Sequence, residues 1–173
     1  MQEQPILPAT TREDLLRRAW YIHDAAWFAA VREAYGMEAA NRLNQKAVQV
    51  VARAESARLG RVTGFQPGDL GELLRLIETG RELYVGQDLM EMKTTQLAPD
   101  RYEASVSRCF VAEHIVKAGM ATDYKCAVFD RVQGWHQGLR MPLAEGQVPR
   151  TTCLIARGEE CRREFQLKTE QPP

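Results

Sequence analysis

Apolar residues recur at helical spacing through the first third of the chain, alternate with polar ones in the middle, and gather around cysteines near the end. Thr10-Thr11-Arg12-Glu13 has capping-box spacing, and the stripe Leu15, Leu16, Ala19, Trp20, Ile22, Ala26, Trp27, Ala30, Val31 follows with the period of an amphipathic helix. The spacing predicts a helix over 10–35, stopped by Gly36, and a second over 37–59, carried by Leu43, Ala47, Val50, Val51 and Ala54 and stopped by Gly60. Their short connection predicts an antiparallel helical hairpin. Asp69 stands where a third helix over 70–79 needs its N-cap, and Gly80 is its expected stop.

Beyond Arg81 the texture changes. Residues 83–95 and 101–108 read as strands joined by a turn at Pro99-Asp100, since Tyr102, Ala104 and Val106 alternate with Glu103, Ser105 and Ser107. Residues 110–118 and 123–139 read as helices broken at Gly119, with Gly134 and Gly138 a close-packing site rather than a phosphate loop. The end reads as a β-hairpin, strands 151–156 and 160–168 around a turn at Arg157-Gly158-Glu159. Residues 1–9 hold two prolines and no period, a loose arm, and no linker divides 10–169. The expected fold is a single α+β domain, with an N-terminal helical hairpin packed on a small mixed α/β unit that ends in the β-hairpin.

Composition narrows the partners. Lys+Arg and Asp+Glu both total 23 of 173 residues, and no basic run stands out, so nothing invites a nucleic-acid backbone. No stretch approaches the roughly 20 apolar residues that span a bilayer, so no membrane partner is expected and the cytoplasm is the expected location. In that compartment four cysteines serve as thiols or metal ligands rather than disulfides.

Cys153 and Cys161 fall on the two arms of the expected hairpin, and Cys126 opens the preceding helix. Three thiolates held this way suit a structural Zn²⁺, whose fourth ligand would be Cys109, a histidine such as His136, or a carboxylate. There is no CxxC pair, and four small buried apolar residues satisfy the same spacing. The pattern Cys126-(x26)-Cys153-(x7)-Cys161, with Gly158 in the turn and Arg162…Phe165 after it, resembles the end of the 4-vinyl reductase domains, which also serve as sensor modules of phenol-type and xylene-type transcription activators. That resemblance implies a 4-vinyl reductase-like fold, a small-molecule ligand and a zinc held by Cys126, Cys153 and Cys161. Arg150 stands where those sensors place a liganding glutamate; either Cys109 substitutes for it or no metal is held.

The stretch His23-Asp24-Ala25-Ala26-Trp27-Phe28, continuing through Glu33 to Gly36-Met37, resembles an uncharacterised family related to the L-2-amino-thiazoline-4-carboxylate hydrolases, and Glu55-Ser56-Ala57-Arg58 is similar to a motif of its second helix. Ala25 replaces a glycine of that pattern. The resemblance covers nearly the whole chain and implies either ligand binding or C–N hydrolysis. A His-Asp pair in mid-helix has low propensity and needs partners once buried. It serves either as an anchor between helices, Asp24 accepting from Arg58 or a loop, or as the edge of a pocket in which His23, Asp24, Trp27 and Glu55 meet a small ligand.

Two functions remain. One is a small-molecule-binding, sensor-like domain with a structural zinc, whose signal passes through a partner or an oligomer such as a homodimer. The alternative is a hydrolase of a small cyclic amidine or thiazoline carboxylate, using a Cys109 or Cys126 thiolate or the His23–Asp24 pair. Glu113-His114 lacks the second histidine of a zinc-protease helix, and no nucleophile elbow, Walker loop or dinucleotide fingerprint occurs.

Overall fold

The computed structural model describes residues 7–146 and 152–168. The chain divides into two compact units, Met1–Ala40 and Asn41–Pro173. The first is the opening part of α1 (Ala9–Thr63), which stays helical on both sides of Gly36. At Gly36 φ is 83° and ψ 168°, outside helical space, so the expected stop is a real break in the backbone.

The second unit is mixed α+β. After the remainder of α1 come α2 (Leu70–Tyr84), β1 (Met90–Ala98), β2 (Arg101–Cys109), α3 (Phe110–Lys117), α4 (Val128–Gly138), a 3₁₀ turn (Ile155–Arg157) and β3 (Cys161–Gln166). The three strands form one antiparallel sheet in the order β1-β2-β3. Asp69 caps α2 as expected: its Oδ1 accepts from Glu72 N at 2.8 Å, while Glu72 Oε2 accepts from Gly68 N at 2.8 Å. The helix nonetheless runs through Gly80, which packs beside Leu59, and ends near Gly86, where φ is 92°. Residues 81–84 are therefore helix and the first strand starts at Met90.

The expected C-terminal hairpin is not formed. Thr152 makes only an isolated bridge to Lys125, residues 155–157 turn as 3₁₀, and β3 pairs with β2. Cys153 and Leu154 are both buried, which a strand with one covered face cannot arrange for neighbouring residues. Cys161 lies opposite Val106, and Phe165 opposite Tyr102.

The sheet's inner face carries Tyr102, Ala104, Val106, Cys161 and Phe165, all buried. Helix α4 covers it, the Phe129 ring lying 5.7 Å from Phe165. On its other side α4 presses on α1 at Gly134 and Gly138. A Cβ at Gly134 would lie 2.4 Å from Gln49 O, and one at Gly138 2.4 Å from Arg53 O. The close-packing role expected of these glycines is the one they fill. No helix among the described residues is long and apolar enough to cross a membrane.

Candidate functional site

The four cysteines come from four separate places: Cys109 closes β2, Cys126 precedes α4, Cys153 precedes the 3₁₀ turn, and Cys161 opens β3. Two long-range pairings gather them. The Lys125–Thr152 bridge sets the Cys126 and Cys153 segments side by side, and the β2–β3 ladder brings Cys161 to the end of β2 that carries Cys109. The loop that holds Cys126 is tied to α1. Asn41 Nδ2 donates to Asp123 O at 2.7 Å, Lys125 N donates to Asn41 Oδ1 at 2.9 Å, and Gln45 Nε2 donates to Cys126 O at 3.4 Å.

All four cysteines line one void of about 10 Å³, closed otherwise by Val106, Phe129, Leu154 and their neighbours. That is about the room of a single water. All four are free thiols. Burial pushes the Cys126 thiol up to about 12 and Cys161 to about 11, with neighbouring thiols adding to the rise, and burial raises Cys109 too. A nucleophilic cysteine needs the opposite shift and an adjacent base. The lining contains no histidine.

The donors around the void are four sulfurs with no carboxylate, a soft set by chemical type. As the side chains stand, no three His, Cys, Asp or Glu among the described residues are drawn into ligating geometry. Arg150 lies outside the described residues.

Val106, Ile155 and Cys161 also border a second space, an open cleft of about 760 Å³. Met90 and Met92 give it an apolar wall, and its lining carries charges of both signs, Arg81, Lys93 and Arg162 with Glu91, Glu159 and Glu160. Arg81 is buried. It pairs with Glu78, and its Nη1 donates to Met90 O at 3.0 Å.

The remaining expected site residues are dispersed. His23 and Trp27 are exposed and Asp24 is half-buried, all three in the first unit, where His23 stacks on Trp20 with centroids 5.7 Å apart. Glu55 is in the second unit and is shielded. Its Oε2 accepts from Arg131 Nη1 at 2.6 Å and from Trp135 Nε1 at 3.1 Å. None of the four lines the void or the cleft. His136, considered above as a fourth ligand, is fully engaged elsewhere. Its Nδ1 faces Met141 O at 2.9 Å and must carry the proton, so Nε2 accepts from Tyr102 Oη–H at 2.7 Å. Burial pushes its pKa down to about 4.

Sequence reasoning missed the cleft. Its lining comes from α2, all three strands and the 3₁₀ turn with the segment after it, with no shared period or motif to signal it. No protein-family model matches this chain, and no curated protein matches it.

Proposed function

We propose that this chain is a small-molecule-binding, sensor-like domain of the 4-vinyl reductase kind, built around a structural zinc held by Cys109, Cys126, Cys153 and Cys161. The observation that carries this reading is the meeting of every cysteine in the chain, from four distant segments, on one water-sized void. Small apolar residues filling a core have no reason to collect in one place, whereas a tetrathiolate site requires it. The metal supplies no chemistry beyond cross-linking: it ties β2, the α4 entry, the 3₁₀ turn and β3 into one body and holds the thiols as thiolates. Unpaired cysteines of this kind suit a reducing, cytoplasmic setting.

The ligand's place is the cleft that shares Val106, Ile155 and Cys161 with the cysteine void. Its volume falls within the range of small-molecule sites, roughly 300–1,000 Å³. A ligand there would touch the wall of the metal site, which gives binding a route to the domain's rigidity.

Metal analysis with thiol titration of purified protein tests the reading. One zinc per chain and four thiols that react only after unfolding or chelation are expected, with zinc lost in Cys161→Ser. Metal-free protein with unchanged stability in excess zinc would overturn the metal. A small-molecule screen by thermal shift tests the cleft, and hits that survive Ser105→Trp would overturn its assignment.

A further inference from the structure

The part of α1 that precedes Gly36 carries its apolar residues outward. Leu16 is 72% exposed, Ile22 70%, Trp20 48% and Trp27 37%. At about 100° per residue these share one half of the helix with Leu15, His23 and a series of alanines. Of the charged residues between Leu16 and Ala34, Glu33 alone falls on that half, at its Leu15 edge and away from the Trp20–Trp27 line. Monomeric proteins rarely leave contiguous apolar surface of more than a few hundred Å² uncovered.

We infer that this face is a homodimer interface, covered by the same helix of a second copy in antiparallel orientation. The argument is self-complementarity. Bulky Leu15, Leu16, Trp20 and Ile22 stand in the first half of the segment, and Ala26, Ala29, Ala30 and Ala34 in the second. The seam Leu16, Trp20, His23, Trp27, Ala30, Ala34 advances in steps of 4, 3, 4, 3 and 4, read from the numbering. Those are heptad core steps, and they read the same in reverse. Two copies placed about a two-fold axis at Ala25 therefore set Leu16 against Ala34, Trp20 against Ala30 and His23 against Trp27. Within this seam each large side chain meets a small one except at the centre, where aromatic rings meet; Leu15 and Ile22, roughly 100° or more around the helix from it, flank the contact. Such an isologous contact closes on itself.

The charge does not suit a membrane. Arg12, Arg17, Arg18 and Arg32 are balanced by Glu13, Asp14, Asp24 and Glu33, whereas a helix lying on a bilayer carries a polar face rich in Lys and Arg.

Sedimentation of the full chain at micromolar concentration tests the inference, and a dimer is expected. Trp20→Glu should weaken it by roughly a thousand-fold, because a buried Trp anchor is worth about thirty-fold or more and is used twice. Ala30→Trp alone should also dissociate it by opposing two indoles, and Trp20→Ala with Ala30→Trp should restore it by exchanging large and small. For a variant that loses its helix, mild oxidation decides: Leu16→Cys with Ala34→Cys should cross-link two chains, and Leu16→Cys alone should not. A monomeric wild-type chain overturns the inference, whether the face is then bare, folded against the rest of the chain or taken up by lipid vesicles. A dimer indifferent to Trp20→Glu, or cross-linking by Leu16→Cys alone, overturns it equally.

Discussion

Replacing Gly138 with alanine sets two effects against each other. In a solvated helix the change would stabilise by about 1 kcal/mol, since alanine is the better helix former. At this crossing the new Cβ would lie 2.0 Å from Ser56 Oγ, 2.4 Å from Arg53 O and 3.0 Å from Ala57 N. Comfortable contacts of carbon with heavy atoms begin near 3.5 Å, so α4 must retreat by roughly 1 Å or more. Ser56 Oγ could rotate away, at the cost of its 3.2 Å bond to Arg53 O, but the α1 backbone cannot. Overpacking of this kind costs about 1–3 kcal/mol, so the net loss is about 1–2 kcal/mol. Urea unfolding followed by far-ultraviolet circular dichroism reads this as a midpoint lower by roughly 0.5–1 M. Gly134→Ala meets Gln49 O at 2.4 Å and Ala52 Cβ at 2.7 Å and should behave alike. The pair together should cost less than the sum, because one retreat of α4 relieves both clashes. Gly71→Ala is the control, its Cβ making only an ordinary 3.4 Å contact with Asp69 Oδ1. A Gly138→Ala variant as stable as wild type, or more so, would refute the close crossing and with it the placement of α4 against α1.

Other measurements bear on the core and the metal. His136 is held neutral, its pKa pushed down from the ordinary 6.5 to about 4, so between those values the unfolded chain binds more protons. Its contribution is complete above about pH 6.5 and drains away as pH falls to about 4, by up to about 3 kcal/mol; urea titrations across that range should show the slope, and His136→Gln should flatten it. Tyr102→Phe removes the hydroxyl that donates to His136 Nε2 and should cost about 1–3 kcal/mol by the same assay. Glu55→Ala strands Arg131 beneath the surface and should cost about 3 kcal/mol or more; a variant of unchanged stability would return Glu55 to a ligand-binding role. Chelation should lower the thermal midpoint of wild-type protein and leave Cys161→Ser unmoved, since the variant has no zinc to lose.

Local pattern carried the elements whose form is decided by near neighbours. The period of Leu15 to Val31, the cap at Asp69 and the alternation from Tyr102 to Val106 each correspond to the element they suggested. A helix repeat and a strand repeat are properties of adjacent backbone and leave their trace in adjacent residues. The glycines show where that trace ends. Gly36 does break a helix, but Gly60 and Gly80 lie inside helices, where they admit a neighbour that comes from elsewhere in the chain.

The cysteines follow the same division. Their identity and number suggested a metal, yet the hairpin meant to unite Cys153 with Cys161 does not exist. What unites them is the Lys125–Thr152 bridge and the register of β3 on β2, pairings between distant segments. Glu55 is likewise explained by Arg131, 76 residues away, and His136 by Tyr102. Pairings of this range are selected by what a closed core leaves unburied and unpaired, a balance struck over the whole unit, and no stretch of sequence short enough to read as a pattern contains it.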